Sequence, residues 1–405
     1  MAGGMSSLSL AKRLEVIQPS ATVAISTKAN EMKAQGIDVL SFSVGEPDFD
    51  TPKHICDAAK KAIDDGATRY TAARGITPLR EAICARSKAR RGIEHDPSEV
   101  VVSVGAKHTL FNLAVVLYDP GDEVIVPEPY WVSYPAQVKL FGAEPVVLET
   151  TAESGYRLTP EQLKGALTEK TKAVILCSPS NPTGSAYSEA QLRALADVLK
   201  EHDCWIIVDE IYGELVYGDF EQKSILEVAP ELKERTILVD GVSKTYAMTG
   251  WRIGWMLAPK QVATKVNTIQ GQSTTNPCAN AQYAAIAALE GPQEPVAEMR
   301  AAFAKRRGLI VEGINAIEGL SCNEPEGAFY AFVKATEVLG KRTPKGEVLD
   351  DDLKLCGYLL EEAKCALVPG SAFGAPGHFR MSYACSEAQI QEGLKRIREA
   401  LAALS

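Results

Sequence analysis

Between residues 97 and 260, short unbroken apolar runs alternate with longer stretches in which apolar residues recur every three or four positions. The runs VVVSV (100–104), EVIVP (123–127), PVVLE (145–149), AVILC (173–177), WIIVD (205–209) and TILVD (236–240) are rich in β-branched residues and predict strands. Strands apolar at every position are covered on both faces, so they belong to a parallel or mostly parallel sheet with helices on either side. Helical periodicity fills the gaps, for example from Ser188 to Glu201 after the turn Asn181-Pro182-Thr183-Gly184. The pattern is that of a doubly wound α/β unit.

The flanks read differently. After Gly291-Pro292 come a long helical stretch with the basic run Lys305-Arg306-Arg307, an extended piece GAFYAFV (327–333), a polar loop near 340–350 and a final helix from Ser386. This mixture predicts a smaller α+β domain, joined by an N-terminal helix around residues 9–35. The expected division is 1–47 as an arm and helix joining the small domain, 48–295 as the large domain, and 296–405 as the small C-terminal domain.

Composition narrows the class. A chain of 405 residues is long enough for two or three domains. With 46% hydrophobic and 23% charged residues it is globular, not fibrous or disordered. Lys and Arg number 43 against 52 Asp and Glu, a net charge of −9 without a basic tract, which disfavours nucleic acid and anionic membranes as partners. The nine cysteines are odd in number, scattered and nowhere spaced as CxxC, so neither a disulfide framework nor a metal site is expected, and a reducing cytoplasm fits. The opening MAGGMSSLSLAKRLEVIQ has no apolar core of signal-peptide length, and no stretch approaches a membrane span.

In open α/β sheets ligands bind beyond the carboxyl ends of the strands. After VVVSV, Gly105-Ala106-Lys107 opens a helix whose N–H groups and positive end suit a phosphate; a plain strand-to-helix turn is the competing reading. After AVILC, Asn181 sits between prolines in SPSNPTG, which aims its amide at a fixed point, unless the segment is only a turn leading to a cap at Ser188. WIIVD ends in Asp209, followed by Glu210 and Tyr212. A carboxylate there is costly to bury without a positive partner, and helix capping is the alternative. After TILVD come Gly241, Ser243 and Lys244, then Arg252 eight positions on. Desolvation and a nearby cation lower a lysine pKa and yield the neutral amine that forms a Schiff base. A phosphate cradle, an acidic partner for a ring nitrogen, a polar group for a ring oxygen and a nucleophilic lysine are together the needs of pyridoxal 5′-phosphate.

The stretches SPSNPTG, VDEIYGEL, SKTYAMTGWRIG, VGEPDFDTP (44–52), RYTAARGITPLREAI (69–83), VPEPYWVSYP (126–135) and VPGSAFGAPGHFRMSYA (368–384) resemble the class I, fold-type I aminotransferases, in order from about residue 10 onward. They resemble especially the bacterial aspartate aminotransferase subgroup that includes prephenate aminotransferases. The resemblance implies that Lys244 holds the cofactor covalently and then moves the proton between substrate and cofactor. It implies that Asp209 pairs with the ring nitrogen, and that Asn181 and Tyr212 bond the ring oxygen. Arg252 with the Ala106 and Lys107 N–H groups would grip the phosphate, Tyr70 would reach it from the neighbouring subunit, and Trp131 would flank the ring. Arg380 would fork the substrate α-carboxylate, helped by the Gly45 N–H.

Two departures from the family pattern stand out. The phosphate-binding serine found three residues before the lysine in many relatives is Gly241 here, which leaves Ser243 as the substitute. The second substrate arginine of the animal and enterobacterial enzymes has no counterpart motif, and the subgroup resemblance implies Lys107 with the Ser20-Ala21-Thr22 segment, through Ser20 or Thr22, in its place. The expected activity is ping-pong transamination between aspartate or glutamate and 2-oxo acids, in a homodimer with shared sites. Prephenate transamination, β-elimination, aminocyclopropane-carboxylate synthesis and a ligand-sensing regulator domain are the alternatives.

Overall fold

The structure, a computed structural model, describes residues 9–17 and 21–405, without the side chains of residues 21–24 and 26. A helix Ala21–Ala34 leads into a two-residue strand β1 (Leu40–Ser41). The central sheet is built from β2 (Val100–Ser103), β3 (Glu123–Glu128), β4 (Glu144–Glu149), β5 (Thr171–Cys177), β6 (Trp205–Asp209), β7 (Thr236–Gly241) and β8 (Gly254–Leu257), in the order β2-β8-β7-β6-β5-β3-β4. The six apolar runs all became strands, with ends within two residues of the sequence pattern. The helix Glu189–Lys200 begins where expected, capped by Ser188 through a capping box with Gln191.

Both faces of the sheet are covered, as the unbroken apolar runs require. Val100, Val102, Ile125, Val174, Leu176, Ile206, Val208 and Leu238 enter one buried cluster. Their alternate neighbours Val101, Val124, Val126, Ala173, Ile175, Ile207, Ile237 and Val239 enter another. The period-2 geometry of a strand sends successive side chains to opposite faces, so each run fills two cores at once.

The apolar-run criterion passes over β8, because the run Gly254-Trp255-Met256-Leu257 starts at a glycine and follows the polar lysine segment. It is the one antiparallel member, pairing with β2 and β7. Running against the rest, it presents its amino-terminal flank, Arg252, at the edge where the other strands present their carboxyl ends.

The rest of the chain forms a four-stranded antiparallel sheet, in the order β12-β13-β10-β9, from β9 (Ser321–Cys322), β10 (Tyr330–Lys334), β12 (Val368–Pro369) and β13 (His378–Ser382). Before β12 lies β11 (Cys365–Ala366), which pairs in parallel with β1 and so ties the amino-terminal segment to this half. The helices Glu294–Asn315 and Glu387–Ala402 pack here, around Phe303, Ile310, Phe329, Phe379 and Tyr383. Of the helix expected around residues 9–35, the described residues show a 3-10 turn Lys12–Leu14 and the helix Ala21–Ala34, and residues 18–20 lie outside the described residues. Among the described residues no helix is long and apolar enough to cross a membrane.

Candidate active site

The carboxyl edge of the central sheet, β13 and the segment after β1 enclose a cavity of about 410 Å³. Of the residues singled out in the sequence, Gly45, Ala106, Lys107, Trp131, Asn181, Asp209, Tyr212, Ser243, Lys244, Arg252 and Arg380 all line it. Tyr70 does not. It is 89% exposed and stands in a separate surface groove with Thr274, Thr275, Asn276 and Cys278. Ser20 and the Thr22 side chain lie outside the described residues.

Backbone direction explains the gathering. The helix Ala106–Leu117 starts at the cavity; its His108 and Thr109 N–H groups donate to the Gly105 carbonyl, while those of Ala106 and Lys107 come before the first helical hydrogen bond. Gly105, at φ +81°, brings it there: a Cβ would come 2.6 Å from the Arg252 guanidinium. Gly254 is needed for the same close approach, because a Cβ would sit 2.2 Å from the Ala106 nitrogen. A Cβ at Gly241 would come 3.0 Å from Gly254 Cα and Ile253 O, so a side chain there would require the neighbouring backbone to give by a few tenths of an ångström.

Lys244 Nζ donates to the Gly45 carbonyl at 2.6 Å, and burial brings its pKa down to about 8 against the opposing pull of Glu46. Asp209 is pushed up to about 6 by burial, while the Tyr134 hydroxyl and the Ile211 N–H that donate to it work the other way. The adjacent Glu210 serves a different purpose. It faces away and pairs with buried Arg91, which also bridges Asp240 at 3.2 Å. Arg380, buried on β13, donates to Asn181 Oδ1 at 2.8 Å and to the Ser43 carbonyl at 2.7 Å, and lies 4.4 Å from the Tyr330 ring. Its Nε is buried with no partner among the described residues. Lys107, exposed at the mouth, holds its ammonium 4.8 Å over the Trp131 ring.

Nine of the lining residues have no role in the sequence reading, among them three aromatic residues that touch the predicted groups. Tyr330 exchanges a 2.8 Å hydrogen bond with Tyr212, Phe373 lies 5.2 Å from the Arg380 guanidinium, and Tyr134 bonds Asp209. Tyr134 stands in the first turn of the helix Ser133–Leu140, three residues after Trp131, and the two rings meet edge-on at 5.3 Å.

Residues 37–397 match the model of the aminotransferase class I and II family. The chain is 49% identical over 393 residues to an aspartate aminotransferase of Geobacillus stearothermophilus, covering 96% of this chain and 98% of that one. It is 46% identical to an aspartate/prephenate aminotransferase of Cereibacter sphaeroides, covering 98% and 99%. The crystal structure of the aspartate aminotransferase from Rhizobium meliloti superposes with a TM-score of 0.96 at 45% identity, covering 98% and 100%. The chain therefore belongs to the class I and II aminotransferases, and its architecture is the fold-type I arrangement of a large, mostly parallel sheet and a smaller α+β part.

The donor set fits pyridoxal phosphate: a buried amine of lowered pKa, a buried carboxylate on the neighbouring strand, and a helix amino terminus beside an arginine on the same edge.

Proposed function

We propose that this protein is a pyridoxal-phosphate transaminase that moves the amino group between aspartate or glutamate and the corresponding 2-oxo acids. The observation that carries it is the convergence of Lys244, Asp209, Asn181, Arg252 and Arg380 on one cavity. Bound pyridoxal phosphate supplies an electron sink for the bond at substrate Cα and carries the amino group between half-reactions. Lys244 anchors the cofactor and, once released, takes and returns the Cα proton. Asp209 keeps the ring nitrogen charged, and Asn181 with Tyr212 bonds the ring oxygen. Arg252, Ser243 and the Ala106 and Lys107 N–H groups bind the phosphate, and Trp131 flanks the ring.

Arg380 takes the α-carboxylate with the Gly45 N–H, already oriented by Asn181 and the Ser43 carbonyl. Because every substrate carries that carboxylate, Arg380→Lys is expected to lower kcat/KM for all of them by about 1.5–3 kcal/mol, roughly ten- to two-hundredfold. A loss confined to dicarboxylic substrates would move Arg380 to the side-chain end of the site.

The acidic preference is assigned to Lys107, with Ser20 or Thr22. Names of relatives and a Thermus thermophilus aspartate aminotransferase solved with maleate, at 41% identity over 97% of this chain, support dicarboxylic ligands. Lys107→Ala is expected to cost roughly 1.5–3 kcal/mol in kcat/KM for aspartate, glutamate and prephenate, with alanine and phenylalanine little changed. Equal losses in both groups would confine Lys107 to the phosphate. Single-turnover rates of the amine form of the enzyme with oxaloacetate, 2-oxoglutarate and prephenate test the function itself; no transfer to any of them would refute it.

The exposure of Tyr70 supports a C₂ homodimer in which it reaches the partner's cavity. Mixing inactive Lys244→Ala and Tyr70→Phe subunits should restore activity; none would be restored if each site were built from one chain. The domain division near residues 47 and 295 is proposed on the packing of Met299, Phe303, Ile310 and Ile314 with the small sheet. All nine cysteines are unpaired, which fits a reducing compartment such as the cytoplasm.

A further inference from the structure

Asp209 meets the cavity with both carboxylate oxygens already engaged by the protein. Tyr134 Oη donates to Oδ2 at 2.8 Å, and the Ile211 backbone N–H donates to Oδ1 at 3.2 Å. Among the described residues Tyr134 is the only side chain that hydrogen-bonds this carboxylate. Both partners are buried, at 3% and 4% exposure, so neither exchanges the bond for water. Tyr134 is itself held tightly: its ring packs edge-on against Trp131 at 5.3 Å. Its hydroxyl also meets the thiol of Cys177, which stands opposite Asp209 in the β5–β6 register.

The surroundings make this donor matter. Glu210 beside it and Asp240 on β7 disfavour a charge on Asp209, although Arg91 partly compensates both. Lys244 is the facing cation, and the Cys177 thiol and Tyr134 hydroxyl are neutral, their pKa values raised by burial. Against burial and two nearby acids, the hydrogen bonds to Asp209 are what favour its ionised form. A carboxylate anchored at one oxygen is also fixed in rotation, which settles the direction it presents to the cavity.

We propose that Tyr134 is the positioning residue for Asp209, fixing its carboxylate in the orientation and charge state that the cofactor ring nitrogen requires. The proposal rests on the pyridoxal-phosphate reading of the cavity. Tyr134 does its work through Asp209 and touches no reacting atom.

The first test needs no cofactor. In cofactor-free protein labelled with carboxyl-¹³C aspartate, the Asp209 resonance, assigned by its loss in Asp209→Asn, is expected to titrate about one to two pH units higher in Tyr134→Phe than in wild type. An unchanged midpoint overturns the proposal. The second test uses the holoenzyme: Tyr134→Phe should lower kcat about tenfold or more with KM for amino acids nearly unchanged. In an Asp209→Asn background the same substitution should have no further effect on kcat, because the group it acts through is gone. An equal loss in both backgrounds would make Tyr134 a general packing residue and overturn the proposal. A chain that takes up no pyridoxal phosphate would refute the function proposed above, and the cofactor-free titration would still decide this one.

Discussion

Lys244→Ala is expected to lower turnover by about four orders of magnitude while the protein still takes up pyridoxal phosphate. Positioned proton transfer contributes roughly 10²–10⁴-fold, and the covalent anchor that makes each half-reaction intramolecular is lost with it. The phosphate and ring contacts assigned to Arg252, Ser243, Asn181 and Asp209 do not involve the lysine, so binding survives. The absorbance of the lysine-bound cofactor should vanish, and added methylamine should restore part of the rate. Substantial transamination without added amine would remove Lys244 from the mechanism. The pH dependence of cofactor capture follows from the same group. Burial sets the free lysine near 8, and only the neutral amine attacks, so the capture rate should rise about tenfold per unit below pH 8 and level off above it.

Asp209→Ala should slow the amino-acid half-reaction by about 10²–10³-fold, the scale of losing one preorganised electrostatic contact to developing charge. Cofactor affinity should fall far less, since the phosphate contacts remain. The physical reason is that an uncharged ring nitrogen is a poor electron sink, so the loss falls on removal of the Cα proton. Single-turnover absorbance with aspartate measures it. A rate near that of wild type would leave Asp209 as a strand-end carboxylate satisfied by Tyr134 and Ile211, with no part in the chemistry.

The line of carboxyl-end residues is legible in the sequence because each follows an apolar run, and the direction of a parallel strand puts its next residues at the ligand edge. Asn181, Asp209 and Lys244 all obey this rule. Arg252 was not placed by that rule: it precedes a strand, and only the antiparallel run of β8 brings it to the same edge. Gly241 shows the converse. The sequence displays it as a missing serine, and the structure adds what no sequence window contains, a tight approach of 3.0 Å between the position of its absent Cβ and Gly254 Cα.

Local sequence determined the apolar strands, their two covered faces, the capped helix after Ser188 and the order of the chemical groups, because each depends on spacing within a few residues. Tertiary structure alone decided the contacts between distant segments. It turned Arg380 onto Asn181 and the Ser43 carbonyl, set Tyr330 against Tyr212, and delivered Tyr134 to Asp209, 75 residues away. It also parted the adjacent carboxylates, Asp209 into the cavity and Glu210 to Arg91. Such pairings depend on sheet register and on which face an element packs, quantities that no window of sequence contains.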